Sequence, residues 1–380
     1  MLESFGIKGF RKYRELKLDK LRKINFILGN NNIGKTSILE AIFTWACGRN
    51  FTPIFNVLLS RNRYIGIQSH YWLMDEILSV FNNKKILPLT FELAGEDKND
   101  KFIFSHEVAP SDLLTEYDST YKKYNDKIVS SYTQPNFENG QGNHNILPGL
   151  ITIPTVNLAH WKIKETSTSN KKGLVNEYNV MVPYMGKNTR PHCLAKFIDI
   201  FSLVSIQENL KIFSCLKREN LLDIVTQEIC NIFPTIKSFD VIPYPNGAPS
   251  PISIVDTKGE TLPIYAYGDG VQKWFYILGS IVLYRDSIIC IDEIDTGLHT
   301  SAQLKFCKHF VEYALKYNTQ LFVTTHNIEF IDKFLSSIQE SNNSDIANDI
   351  AVITIRENGI RNLSAKEAFL SRNEYNIELR

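Results

Sequence analysis

The sequence predicts an α/β fold with a mixed or parallel core sheet, an N-terminal antiparallel sheet and a helical or loop-rich insertion. Three observations support this prediction. An apolar strand pattern at residues 24–28 runs into a glycine-containing loop and then an amphipathic helix. A second run, residues 287–293, is apolar and ends in two acids, and a third, residues 320–325, ends at a histidine. Strands that alternate with helices in this way are typical of a parallel sheet.

Length and composition indicate a soluble globular protein. The 380 residues suffice for one large domain with an insertion or for two domains, and 43% are hydrophobic while 22% are charged. No stretch approaches 18 uninterrupted apolar residues, and the N-terminus lacks the apolar core of a signal peptide. The six cysteines contain no C-x-x-C pair, so we expect reduced thiols, neither a zinc site nor a disulfide framework, and a cytoplasmic location without membrane partners.

The net charge of +1 argues against a chain that is basic throughout. Positive charge is nevertheless concentrated at the N-terminus, where residues 1–23 hold eight bases against three acids. Two interpretations remain open: a solvated strand face, or a patch that faces nucleic acid or a partner. The bases are Lys8, Arg11, Lys12, Arg14, Lys17, Lys20, Arg22 and Lys23.

Residues 29–36 match the pattern G-x-x-x-x-G-K-[ST] of a phosphate-binding loop, or P-loop. Main-chain N–H groups of such a loop cradle phosphates, Lys35 would reach the β- and γ-phosphates of ATP, and the Thr36 hydroxyl would hold Mg²⁺. The alternative is a Gly/Asn-rich turn, but the flanking strand and helix patterns favour the P-loop. The candidate nucleotide-binding residues are Asn30, Asn31, Asn32, Ile33, Gly34, Lys35, Thr36 and Ser37.

The N-terminal half contains short strand patterns before the P-loop, one or two helices within residues 52–84, and a hairpin at residues 86–108. Residues 110–185 are rich in polar residues and glycine and contain few aliphatic ones, so we expect an inserted, partly flexible subdomain that packs on its host. The predicted organisation is residues 1–109 for the first half of the ATPase domain, 110–185 for the insertion and 186–380 for a helical segment and the second half.

The C-terminal half returns to regular patterns. Helical periodicity in residues 193–236 predicts two or three amphipathic helices, with strands to follow at 238–242 and 252–255. Gly268, Asp269 and Gly270 precede a long apolar helix that runs to about Tyr284. Residues 350–363 predict a hairpin.

Acids and a histidine follow the apolar strands downstream of the P-loop. Asp292 is a candidate ligand of Mg²⁺, and Glu293 is the candidate group that polarises the attacking water. His326 follows a strand at the edge where open α/β sheets bind ligands, so it is a candidate contact to the γ-phosphate. Many buried strands end in acids and many lone histidines are structural, but their order after a P-loop favours the catalytic interpretation. His299 is either a turn residue or a dimer contact.

These motifs together resemble the ABC-type ATPases of the RecF/SMC/OLD group, and most closely the OLD-like AAA-family ATPases of prokaryotes. The resemblance rests on the P-loop, on the run Asp-Glu-Ile-Asp-Thr-Gly-Leu-His at residues 292–299, and on Thr-Thr-His-Asn at residues 324–327. The opening residues 6–13, Gly-Ile-Lys-Gly-Phe-Arg-Lys-Tyr, are similar to that group's first strand. The resemblance covers residues 1–45 and about 186–365.

The resemblance implies a head-to-tail homodimer or higher homo-oligomer with ATP held between subunits. Gly268, Asp269 and Gly270 occupy the signature position that would meet the partner's nucleotide, and Asp295 would lie in the D-loop across the interface. The chain departs from the family pattern because the usual signature serine is missing. No glutamine is clearly placed for the Q-loop, and Gln207 is one candidate.

The resemblance also suggests a function. The sequence ends at Arg380, which leaves no room for the Toprim nuclease domain of OLD nucleases, so a nuclease activity would belong to a partner. We therefore expect an ATP-binding and ATP-hydrolysing switch or scaffold subunit of an anti-phage defence complex that controls a separate effector encoded nearby. The alternatives are a RecF-like repair ATPase that binds DNA or DNA ends, and a nucleotide-binding scaffold with little turnover.

Overall fold

Strand β3 (Ile24–Gly29) lies inside a six-stranded sheet in the computed structural model of the chain. Its neighbours are β13 (Gln320–Thr324) and β14 (Ile350–Arg356), both parallel to it. Strands β12 (Ile288–Ile291) and β8 (Ala195–Ile198) extend the parallel sheet beyond β13, and β15 (Gly359–Ser364) pairs antiparallel with β14. The mixed core sheet and the hairpin at residues 350–363 are therefore confirmed. The structure describes residues 1–47, 79–82, 89–110, 161–169, 173–179, 193–243, 250–295, 300–340 and 344–373.

The central strands of this sheet are buried on both faces, which explains why they are apolar without alternation. In β3, Ile24, Phe26 and Leu28 join one hydrophobic cluster, whereas Ile27 joins another on the opposite face. Strands β12, β13 and β14 divide their side chains between the same two clusters. The central strands of the core sheet thus separate two layers of packing and are accessible only at their ends.

Helix α1 (Lys35–Ala46) follows the P-loop and lies between the core sheet and an antiparallel sheet from the N-terminal half. Its side chains Ile38, Leu39 and Ile42 are fully buried. Trp45 near its end donates a hydrogen bond to the carbonyl oxygen of Phe102, at 2.8 Å. Contact on both sides fixes the direction of α1, and with it the position of the P-loop.

The N-terminal sheet has six strands in the order β2–β1–β4–β5–β6–β7, all antiparallel. The hairpin predicted at residues 86–108 is confirmed, since β4 and β5 pair along their length. Two strands within residues 110–185 continue this sheet, so these described residues are part of it. The strands are β1 (Ser4–Phe10), β2 (Tyr13–Leu18), β4 (Leu89–Glu96), β5 (Lys101–Pro110), β6 (Trp161–Thr168) and β7 (Gly173–Asn179).

Helices cover the other face of the core sheet. The predicted helical range 193–236 is wrong at its start, because residues 195–198 form β8 in register with β12. The remaining elements on this side are α2 (Ile200–Val204), α3 (Ile206–Arg218), α4 (Leu222–Ile232), the antiparallel strands β9 (Ile236–Val241), β10 (Ile252–Asp256) and β11 (Thr261–Pro263), a 3₁₀ turn (Ile264–Tyr267) and α5 (Asp269–Leu283). The long apolar helix predicted after Gly270 is confirmed as α5.

Four helices complete the described chain: α6 (Thr300–Lys316), α7 (Ile328–Glu340), α8 (Ser344–Asn348) and α9 (Ala365–Asn373). Across the described ranges, no helix has the length and apolar character needed to span a membrane. Most of the predicted helices in residues 52–84, most of the predicted insertion, and His299 lie outside the described residues.

Candidate active site

The carboxyl ends of β3, β12 and β13 lie side by side, which is the edge where parallel α/β sheets bind ligands. The P-loop follows β3, and two of its glycines have a positive φ that favours glycine. At Gly29 φ is +144°, and an added Cβ would lie 2.6 Å from the carbonyl oxygen of Ile355. At Gly34 φ is +101°, and a Cβ would lie 2.9 Å from the Tyr13 hydroxyl. The loop therefore needs glycine at both positions.

The turn between β1 and β2, together with the first residue of β2, contacts the outer side of the P-loop. The Tyr13 hydroxyl donates a hydrogen bond to the carbonyl oxygen of Ile33, at 2.9 Å, and the Lys12 ammonium donates to that of Asn32. Asn32 has a φ of +61°, a left-handed conformation that asparagine adopts more readily than most residues. The predicted loop residues Asn30, Asn31 and Asn32 are exposed, and Ile33 is half-buried. Contacts from a distant turn thus stabilise the loop.

Lys35 begins α1 and is only 4% exposed. Its Nζ donates hydrogen bonds to the carbonyl oxygens of Gly29 and Asn30, at 2.7 and 3.0 Å. The same Nζ lies 3.3 Å from Nδ1 of His326. The lysine therefore turns back into the loop, and its charge is available to a phosphate held there.

Thr36 and Asp292 meet where α1 begins and β12 ends. The Thr36 hydroxyl lies 3.1 and 3.0 Å from the two carboxylate oxygens of Asp292. Thr324 also donates to Oδ1 of Asp292, at 2.6 Å. A hydroxyl beside a carboxylate is a suitable oxygen donor pair for Mg²⁺, which proteins usually hold through one or two carboxylates plus substrate phosphates. Ser37, also predicted, lies half-buried in the first turn of α1.

Glu293 has a φ of +53°, which is uncommon for a residue with a side chain. Its main-chain N–H donates to the Thr324 hydroxyl, at 2.9 Å. Its carboxylate Oε1 lies 3.4 Å from Nε2 of His326. Both side chains remain partly exposed, at 44% for Glu293 and 39% for His326, so a water molecule can reach them.

Among the described residues, no group of three or more histidine, cysteine or acidic side chains is arranged to hold a metal ion. Mg²⁺ needs fewer protein ligands, and the Thr36–Asp292 pair meets its preference for oxygen.

The signature residues lie elsewhere in the fold. Gly268, Asp269 and Gly270 are at the start of α5, where Gly268 has a φ of +90° and accepts a hydrogen bond from Val271 N at 3.2 Å. Gly268 and Asp269 are exposed, and Gly270 is half-buried. These residues face outward from the chain and do not belong to the cluster around Lys35. Gln207, the Q-loop candidate, is exposed at the start of α3.

Asp295 is close to the strand that precedes His326. Its Oδ1 accepts a hydrogen bond from the Thr325 hydroxyl, at 2.5 Å. The carboxylate that the resemblance assigns to a subunit interface thus contacts its own chain in this structure.

The structure brings Lys35, Thr36, Asp292, Glu293 and His326 together at one sheet edge. The sequence alone assigned no contacts to two threonines, to the tyrosine that supports the loop or to a buried lysine in α5. The threonines stand directly before His326, a position at the end of a strand that could have identified them. The missed residues are Thr324, Thr325, Tyr13 and Lys273.

Comparison with known proteins identifies the family of the chain. A family model described as "AAA domain" matches residues 4–229, more than half of the chain. The chain therefore belongs to the AAA domain family and is an AAA-type ATPase. A second model, described as "AAA domain, putative AbiEii toxin, Type IV TA system", matches residues 182–332.

The individual relatives have low sequence identity to this chain or match only a short part of it. The chain is 25% identical over 360 residues to an "ATP/GTP phosphatase" of Helicobacter pylori, which covers 90% of this chain and 89% of that protein. It is 44% identical over 52 residues to the DNA replication and repair protein RecF of Idiomarina loihiensis, which covers 14% of this chain and 15% of that protein. Among solved structures, the SMC head domain from Thermotoga maritima aligns with a TM-score of 0.45 at 12% identity, covering 96% of this chain and 98% of that chain.

Proposed function

We propose that the residues around the P-loop bind ATP with Mg²⁺ and hydrolyse it. The observation that carries this proposal is the pairing of Thr36 with Asp292 beside the chain of contacts Lys35–His326–Glu293. It places a candidate phosphate-binding cation, a candidate metal-binding pair and a candidate base at one sheet edge.

Each residue has a distinct task in this proposal. Main-chain N–H groups of residues 30–36 and the Lys35 ammonium bind phosphate oxygens, and Thr36 and Asp292 hold the metal. Mg²⁺, when bound, withdraws charge from the phosphate oxygens. Glu293 orients and polarises the attacking water, and His326 contacts the transferred phosphate.

The test of this proposal is nucleotide binding and hydrolysis by the full chain and by Lys35→Ala. The wild type is expected to release phosphate from ATP only when Mg²⁺ is present, and Lys35→Ala is expected to lose ATP binding. Lys316→Ala, which removes a lysine at the end of α6, is the matched control and should behave as the wild type. If Lys35→Ala kept the wild-type affinity for ATP, the P-loop assignment would be wrong.

We further infer that the ATPase acts as a switch or scaffold subunit whose assembly controls a separate effector protein. The support is the family model that names an AbiEii toxin and a toxin–antitoxin system, since such systems pair two proteins. The exposed signature residues at the start of α5 fit a role in which two copies enclose ATP between them. We propose that this ATPase belongs to an anti-phage defence complex whose effector is a nuclease.

The contacts of the N-terminal basic residues favour the switch or scaffold function over DNA binding. Six of the eight donate to groups of the chain itself, so fewer are available to phosphates of DNA. The pairs are Lys8 with Glu92, Arg11 with Glu40, Lys12 with the Asn32 carbonyl, Lys17 with Asp19, Arg22 with the Asn348 carbonyl and Lys23 with Asn318.

A RecF-like ATPase that acts in DNA repair is the second candidate, because of the 44% identity to RecF over 52 residues. Titration of labelled duplex DNA at several salt concentrations separates the two proposals. Binding that weakens steeply with salt and needs ATP would favour repair. Co-purification of the ATP-bound protein with the product of a neighbouring gene, without DNA binding, would favour the switch.

A further inference from the structure

Lys273 is a buried lysine one turn into α5, and it is only 3% exposed. Its Nζ donates a hydrogen bond to the main-chain carbonyl oxygen of Glu293, at 3.2 Å. Burial lowers the pKa of Lys273 to about 7, and the negative charges of Asp295 and Glu293 oppose that shift. Because a buried amine is unfavourable without partners, Lys273 depends on these oxygen atoms for its place in the fold.

The main chain of Glu293 is fixed from two sides. Its N–H donates to the Thr324 hydroxyl at 2.9 Å, and its carbonyl oxygen accepts from Lys273 at 3.2 Å. Its φ of +53° is a conformation that a residue with a side chain adopts at a cost, so surrounding contacts must maintain it. That conformation directs the carboxylate toward His326, at 3.4 Å. Without the contact from Lys273, one of these restraints is lost.

We propose that Lys273 is a positioning residue that ties the conformation of Glu293 to the start of α5. This inference rests on the proposed function, in which Glu293 polarises the attacking water and residues 268–270 meet a partner's nucleotide. Every residue of α5 from Val271 to Val282 is buried, so packing holds the helix along its length and connects Gly268 at its start firmly to Lys273. A displacement at Gly268 is then passed through Lys273 to Glu293. Docking of a second subunit would in this way adjust the catalytic carboxylate.

Variants at two neighbouring positions of α5 distinguish a loss of Glu293 positioning from a general loss of packing in the helix. Lys273→Met keeps much of the buried volume and removes the donor. Gln272→Met is the matched control, because Gln272 is also buried and donates to the Leu203 carbonyl at 3.0 Å, away from Glu293. Lys273→Arg keeps a donor and a charge and tests for rescue. If Lys273→Met does not fold, Lys273→Leu replaces it with the same expectation.

The first measurement is hydrogen exchange of residues 288–295 in nucleotide-free protein. The second is kcat with Mg²⁺-ATP together with the Kd of ATP. Lys273→Met is expected to raise exchange in this segment and to lower kcat by about tenfold or more, while Kd changes by less than about threefold. Gln272→Met should leave exchange and kcat near the wild-type values, and Lys273→Arg should recover part of the loss.

Equal behaviour of Lys273→Met and Gln272→Met in both measurements would overturn the inference. The two measurements also separate it from the proposed function. If the wild type hydrolyses no ATP, the proposed function fails, whereas the exchange of residues 288–295 still decides whether Lys273 restrains Glu293.

Discussion

Nε2 of His326 lies 3.4 Å from Oε1 of Glu293, while its Nδ1 lies 3.3 Å from Nζ of Lys35. An ammonium group has donors and no acceptor, so Nδ1 accepts from Lys35 and the ring proton is on Nε2, facing the carboxylate. One imidazole thus connects the P-loop lysine to the acid that follows β12. Three strand ends distant in sequence are thus joined by close contacts between these side chains.

His326→Ala is expected to lower turnover more than binding, because the imidazole acts on the transferred phosphate and on Glu293. We expect kcat to fall by about 10- to 100-fold and the Kd of ATP to change by less than about threefold. His309→Ala is the control, since His309 on α6 lies near Glu228 and Glu312 instead. An unchanged rate in His326→Ala would make it a structural histidine.

Glu293→Gln should bind ATP but hydrolyse it poorly, because an amide cannot take a proton from water. The variant is therefore expected to accumulate in the ATP-bound assembly, and native mass or light scattering with and without ATP measures the change. Glu357→Gln, in the exposed turn between β14 and β15, is the control. Normal hydrolysis by Glu293→Gln would mean that another group positions the water.

Thr324→Val is expected to raise the Mg²⁺ concentration needed for half-maximal hydrolysis, because its hydroxyl contacts both Asp292 and the Glu293 main chain. Loss of a group that orients a metal ligand typically costs about 10- to 100-fold in metal affinity or activity. A Mg²⁺ titration of the ATPase rate measures the effect. Thr324→Ser keeps the hydroxyl and should stay close to the wild type. If valine and serine gave the same curve, the hydroxyl would have no role.

We propose residues 110–185, the predicted insertion, as the site of partner or trigger recognition, because the shared ATPase machinery does not need them. Pro110 and Trp161 are direct partners across the two strands, so a short Asn-Gly turn can join them in place of residues 111–160. The shortened protein is expected to keep ATP hydrolysis and to lose its partner in pull-down. Replacing the turn Asp97–Asp100 by Asn-Gly tests a second hairpin as control. Loss of hydrolysis with the partner retained would contradict the proposal.

The stability of the nucleotide-free protein should depend on pH through Lys273. Burial lowers the pKa of Lys273 to about 7 in the folded state, below an ordinary lysine value of about 10.4 in the unfolded chain. Between these two values the unfolded state binds more protons, so this residue makes the free energy of unfolding rise with pH. Denaturant unfolding from pH 7 to 9 should show that rise in the wild type relative to Lys273→Met. Parallel curves would contradict the lowered pKa.

The sequence predicted the residues that stand at strand ends, because a P-loop and the carboxyl ends of parallel strands define where Lys35, Asp292 and His326 must meet. It did not predict contacts that depend on how distant segments pair. Tyr13 supports Gly34 only because the N-terminal sheet packs over α1. The helical spacing of nearby apolar residues predicts that Phe197 lies in a helix. Pairing with β12 instead makes it part of a strand. Local patterns carry no information about such neighbours.

β3 is made early, but the strands on both its sides are made some 300 residues later, at residues 320–324 and 350–356. At ordinary rates of synthesis, this delay lasts on the order of tens of seconds. During that time the nascent chain carries an apolar strand without hydrogen-bonding neighbours, a segment prone to aggregation that chaperones would have to protect. Since the Ile355 carbonyl also lies against Gly29, the P-loop reaches its final contacts only after residues 350–356 have been synthesised and have paired with β3.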